Sequence, residues 1–115
     1  MDDAPRPAPF EPPRTGPLSR DEALTLLAAG DDALRAGEFA DAALRFSRVI
    51  GFDDAAVTGA ALLGLGEARY RLDDEGAALI AWEHVLDLPE SPATYRAWRN
   101  VAAARVRTGD LIGAI

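Results

Sequence analysis

The sequence predicts an all-α fold: a helix-turn-helix repeat solenoid of about two and a half repeats. Three observations predict it. First, landmark residues recur at a fixed spacing of 36: Gly37, Asp73 and Gly109; Ala42, Ala78 and Ala114; Leu26, Leu62 and Trp98; Gly30, Gly66 and Ala102. Phe46 with Trp82, and Val49 with Val85, share the same offset. A period in this range marks repeated supersecondary units, each burying its apolar face against the next. Second, helix start and stop signals fall at corresponding places in successive units. Third, no stretch alternates apolar and polar residues far enough to read as a strand.

Taken in order, residues 1–18 stand apart. They hold Pro5, Pro7, Pro9, Pro12, Pro13 and Pro17. Proline fixes φ and removes amide donors, so this stretch reads as an extended or disordered tail. Ordered structure is expected from Ser19. Ser19-Arg20-Asp21-Glu22 has the pattern of a capping box, in which the serine oxygen and the glutamate three residues on satisfy each other's free amides. Helix one then runs to about Ala36, where Gly37 supplies a left-handed stop. Helix two spans about Ala40 to Ile50. Asp53 and Asp54 are placed to cap a third helix, from about Ala55 to Leu72. Asp73-Asp74-Glu75 turns the chain into a fourth, which ends near Leu88. Pro89-Glu90-Ser91-Pro92 breaks the pattern and restarts it, with Ser91 as cap and Pro92 in the first helical position. Helix five reaches Thr108, and Gly109 stops it. The units are thus about 23–58, 59–94 and an incomplete 95–115.

Composition narrows the function. Of 115 residues, 49% are hydrophobic and 27% charged, a globular balance, and the net charge is −7. That balance argues against a non-specific nucleic-acid binder, which needs basic surface to displace counterions. The charge is uneven: residues 1–92 carry 18 acids and 8 arginines, whereas 93–115 carry four arginines and Asp110. Every basic residue is arginine. The absence of cysteine excludes disulfides, thiolate metal sites and cysteine nucleophiles, and fits a cytoplasmic protein. No basic-then-apolar leader opens the sequence, and no apolar run approaches the roughly 20 residues of a membrane span.

A long helix, a tight turn, a shorter helix and a repeat together resemble the tetratricopeptide repeat (TPR) family. The second unit carries the closest likeness, in Leu65-Gly66-Glu67-Ala68, Tyr70, Ala78, Trp82 and Val85-Leu86. The first carries it in Gly30, Gly37, Phe39, Ala42, Phe46 and Val49-Ile50, and the third in Trp98, Val101-Ala102, Gly109, Leu111 and Ala114. The likeness covers residues 23–115. The family's period is 34, so each unit here holds two extra residues. Ala33, Arg69 and Arg105 stand where the family often has an aromatic, and arginine there implies a partly exposed site. The chain stops about one turn into the second helix of its third unit. That implies a fragment of a longer array, or an end covered by another chain.

Little here points to catalysis. His84 is the only histidine. Its neighbour Glu83 projects from a different helix face, so the two form no dyad. Asp53-Asp54 and Asp73-Asp74 fall at helix boundaries and read as caps; a calcium site needs more oxygen ligands in one loop. Gly64-Leu65-Gly66 lies inside a helical pattern with no Gly-Lys-Ser/Thr after it, so it reads as a place of close helix contact rather than a phosphate loop. No catalytic residue, metal or cofactor is expected.

The resemblance implies a groove lined by the first helix of each unit, and helical periodicity selects the side chains that face it. On helix five these are Arg96, Arg99, Asn100, Ala103 and Arg107, with Trp98, Val101 and Ala102 on the opposite, packed side. By repeat position, helix three contributes Ala60, Leu63, Gly64, Glu67, Tyr70 and Arg71, and helix one Leu24, Leu27, Ala28, Asp31, Leu34 and Arg35. Asp31 precedes Arg35 by four residues and Glu67 precedes Arg71 by four, so both arginines have intrahelical partners. Arg107, Arg96 and Arg99 have none, which leaves a basic face on helix five. Some TPR proteins clamp a chaperone's terminal carboxylate with basic residues and asparagines on three successive first helices. Leu27, Asp31 and Gly64 depart from that pattern.

The expected partner is therefore a protein or peptide with an apolar segment and acidic residues, bound through Arg96, Arg99, Asn100, Arg107, Arg71, Tyr70, Leu63, Arg35 and Leu27. No nucleic acid or membrane is expected as partner. The sequence supports a non-catalytic interaction module. It leaves open an N-terminal regulatory segment of a larger enzyme or transcriptional regulator, and a homo-oligomer formed through the uncovered C-terminal end near Trp98 and Leu111.

Overall fold

The computed structural model describes residues 17–108, and the expectations for residues 1–16, Gly109, Leu111 and Ala114 lie outside them. Among the described residues the fold is all helical: α1 Arg20–Arg35, α2 Phe39–Val49, α3 Ala55–Arg71, α4 Glu75–Leu86 and α5 Pro92–Thr108. These bounds fall close to those read from the capping signals. None of the helices is long and apolar enough to cross a membrane.

The caps explain the boundaries. Glu22 N–H donates to Ser19 Oγ at 3.1 Å, and Ser19 N–H donates to Glu22 Oε1 at 2.8 Å, which closes the capping box. Asp54 accepts from the Ala56 and Val57 amides, Asp74 from Ala77, and Ser91 from Ala93. Each satisfies amides that the first helical turn leaves free. The ends of α1 and α3 match each other. Glu38 N–H donates to the Ala33 carbonyl and Gly37 N–H to Leu34; 36 residues on, Asp74 donates to Arg69 and Asp73 to Tyr70. Both are Schellman closures, and both turn on a left-handed residue, Gly37 at φ 79° and Asp73 at φ 65°.

Packing follows chain order. Each helix packs on the next, α1 and α5 also lie directly against α3, and α3 touches all four others. That position explains why α3 is rich in Ala, Gly and Leu around its whole circumference: it has little free surface to give to polar residues. Its buried side includes Val57, Ala61, Leu62, Leu65 and Ala68. Phe46 from α2 and Val85 from α4 are almost completely buried on either side of it. Full burial of one such side chain contributes about 1.5–3 kcal/mol.

Close approach is made possible by glycine. The Phe46 ring occupies the space where Cβ atoms of both Gly30 and Gly64 would stand, with ring atoms 2.6 Å and 2.5 Å from those positions. Trp82 does the same over Gly66, and its indole N–H donates to the Leu63 carbonyl at 3.2 Å. The α2–α3 corner is closed by Thr58, a buried residue whose hydroxyl donates to the Phe52 carbonyl at 2.7 Å.

One packing expectation is overturned. Trp98 is not on the packed side of α5: it is 59% exposed, and the buried residues are Ala93, Ala97, Val101 and Ala104. The buried stripe points at α3 and α4, whereas Trp98 lies further round the helix. Its counterpart Leu62 is 3% exposed, and Gly66, one turn on from Leu62, is covered by Trp82 of α4. No described residue plays that part for α5.

Candidate functional site

α1 and α5 lie against α3, and a groove of about 310 Å³ crosses all three. Leu27, Asp31 and Leu34 reach it from α1, Ala60, Leu63, Gly64 and Glu67 from α3, and Arg96 and Asn100 from α5. These nine belong to the faces selected by helical periodicity; Pro92 and Ala93, which also line the groove at the start of α5, were not among them. The geometry is a direct consequence of α1 and α5 flanking α3. Gly64 takes part without a side chain because the Phe46 ring fills that space from behind.

The groove continues into two further cavities. The first, about 180 Å³, shares Glu67 and Asn100 and adds Tyr70, Ala103 and Arg107. The next shares Tyr70 and Arg107 and adds Arg71, Asp73 and Glu75. Of the nine residues expected to bind a partner, Leu27, Leu63, Arg96 and Asn100 thus line the main groove, and Tyr70, Arg71 and Arg107 line its extension. Arg35 and Arg99 line neither. Arg35 turns aside to Asp32, and Arg99 lies over the Tyr95 ring at 6.0 Å.

The charges differ from the expected pattern in two places. Arg35 pairs with Asp32 at 2.8 Å, one residue closer along the helix than Asp31. Arg107 is not unpartnered. It forms an ion pair with Glu75 at the start of α4 and lies over the Tyr70 ring at 5.0 Å. Sequence spacing within α5 carried no sign of this pair, because Glu75 sits 32 residues away in the chain. Arg71 pairs with Glu67 at 2.9 Å as its spacing implies, and lies over Phe39 at 5.6 Å. Arg69 and Arg105 are half-buried, and Arg105 pairs with Glu83.

Arg96 is left as the cation that lines the main groove without an ion-pair partner among the described residues. Asp31 lines the same groove. Desolvation raises its carboxyl above the usual range, the neighbouring Asp32 adds to the rise, and Arg35 and Arg96 oppose it. The main groove therefore offers leucine and alanine side chains, the Arg96 guanidinium, the Asn100 amide and the Asp31 carboxyl. His84, on α4, is exposed. Comparison of the chain with protein-family models, with curated proteins and with solved structures finds no match.

Proposed function

We propose that this chain is a non-catalytic interaction module of the TPR type, a helix-turn-helix solenoid that holds a peptide segment of a partner protein in the groove across α1, α3 and α5. The observation that carries this reading is the composition of that groove. Leu27, Leu34 and Leu63 give it an apolar wall, and Arg96 and Asn100 stand on one side with hydrogen-bonding capacity unspent. A guanidinium presents several donors in a rigid fork that matches a carboxylate. An apolar side chain seated on the leucines, with an acidic residue one or two positions away on Arg96, would use both features at once.

The test is selection of binders from a displayed library of random 12-residue peptides, followed by affinity measurement on the full chain. Selected peptides are expected to carry an apolar residue near Asp or Glu. Arg96→Ala is expected to weaken them about 10-fold and to flatten the salt dependence, consistent with about 1.5 kcal/mol for a hydrogen bond to a charged group. Arg107→Ala is expected to lower stability more than affinity, since Arg107 is already engaged by Glu75 and Tyr70. Peptides that bind Arg96→Ala and Leu63→Ala as well as the unaltered chain would sink the assignment.

A further inference from the structure

Away from the groove, the two ends of the helix stack carry complementary surfaces, and we propose that they bind each other between copies of this chain, head to tail. The inference is independent of the peptide groove. At one end, α5 exposes Tyr95 (67%), Trp98 (59%) and Val106 (55%). This helix carries four arginines and no acid, and Arg99 has no ion-pair partner among the described residues. At the other end, Leu18, Asp21, Glu22, Thr25, Leu26 and Arg48 enclose an open depression of about 330 Å³. A second depression of similar size adjoins it through Leu18 and Arg48, and adds Phe52 and Asp53.

The two surfaces match in kind. Leu18, Leu26 and Phe52 are partly buried apolar residues that still line open space. They offer an apolar seat for an exposed indole, and aromatic side chains are the usual anchors of such contacts. Charge fits as well. The receiving end holds the carboxylates of Asp21 and Asp53 beside the guanidinium of Arg48. On the donating face Arg99 stands beside Tyr95, while Arg96 lines the groove and Arg105 and Arg107 are held by Glu83 and Glu75. Asp21 has no ion-pair partner among the described residues, so it and Arg99 are each left to pair across the contact.

The contact is not twofold. Two α5 surfaces would set Arg99 against Arg99, and two α1 ends would set Asp21 against Asp21, like charges in both cases. A joint between unlike surfaces is heterologous, and repeats along a row of copies until it closes or runs on. Tyr95 stands where the closely packed Ala23 and Gly59 stand in the earlier units, so the α5 face presents an aromatic ring where those helices present small residues.

Sedimentation velocity on the full chain tests this, over a concentration series at low and high salt. The mean mass is expected to rise with concentration and to fall back at high salt. Trp98→Ala disables the donating end and Asp21→Arg the receiving end; each alone is expected to stay monomeric with an unchanged far-UV spectrum. An equimolar mixture of the two retains one intact donor and one intact receiver, so it is expected to stop at a dimer. An unaltered chain that stays monomeric throughout, variants that associate as the parent does, or a mixture that stays monomeric would each overturn the proposal.

Discussion

Gly37 and Asp73 hold the same left-handed backbone conformation, at φ 79° and 65°, and close the same Schellman turn at the ends of α1 and α3. The left-handed region costs an L-residue roughly 1–2 kcal/mol, which glycine escapes and aspartate only partly escapes. Gly37→Ala is therefore expected to destabilise the fold by about 1–2 kcal/mol, although no atom crowds the added methyl. Asp73→Gly is expected to stabilise it by about 0.5–1 kcal/mol. Urea titrations of both variants decide the matter, and opposite signs at two positions of equal geometry are the diagnostic result.

Gly66 differs from Gly37, because its constraint is steric rather than conformational. A Cβ there would lie 2.2 Å from the Trp82 indole nitrogen, which also donates to the Leu63 carbonyl. Gly66→Ala must displace the ring or part α3 from α4, at about 1–3 kcal/mol for an overpacked core. Replacing Trp82 by Leu removes the ring that clashes. The double variant is then expected to lose less stability than the sum of the two single variants, a coupling that a double-mutant cycle in urea measures directly. Strict additivity would mean that the indole moves aside freely.

The all-helical fold and its boundaries were legible because the signals are local. Capping serines and aspartates, Gly37 and Pro92 act on amides and carbonyls within four residues, which any reader of the chain sees in sequence. Much of the groove lining on α1, α3 and α5 was legible because the helical angle per residue is fixed, and the 36-residue period carries one face onto the next; Leu24, Ala28, Arg35 and Arg99 share those faces but line no part of the groove. The failures lie where the determining contact is distant. Arg107 seemed unpartnered because Glu75 reaches it only once α4 and α5 are packed. Helical periodicity set Trp98 on the packed side of α5, yet burial depends on a covering helix, and the end near Trp98 is uncovered among the described residues, as its place in the third unit implied. Thr58, which bridges α3 back to the Phe52 carbonyl, gave no periodic signal at all.

Asp54 links the helix caps to pH. Its carboxyl is held below the usual range, first by the hydrogen bond from Arg20 and then by the Val57 amide. A carboxyl depressed in the fold binds its proton more weakly there than in the unfolded chain. Its contribution is present above the unfolded value of about 3.8 and is lost as pH falls through the lower folded value. Arg20→Ala removes the largest cause. Relative to the unaltered chain, the variant is expected to lose stability at neutral pH, and the two stability curves are expected to converge as pH falls below 3. Thermal melts between pH 2 and 7 show this, and curves that stay parallel would exclude the coupling.

Asp31 runs with the opposite sign, and it reports on the groove. Its carboxyl is raised, chiefly by desolvation, so the fold favours the protonated form. The stabilisation is fully present below the unfolded value and lost as pH rises through the folded one, so at neutral pH the ionised group weighs against the fold. Asp31→Asn is expected to raise the urea midpoint at pH 7 and to leave it nearly unchanged at pH 3. Arg96 opposes the shift from the α5 side of the groove, so Arg96→Ala is expected to move the Asp31 titration, followed by carboxyl carbon NMR, to still higher pH. The same pair sets ligand preference. An acidic peptide on Arg96 brings a second carboxylate near Asp31, and like charges at close range repel. Asp31→Asn is thus expected to tighten acidic peptides and to leave neutral ones unaffected. Equal affinities for both peptide classes in the two proteins would show that Asp31 does not face the bound segment.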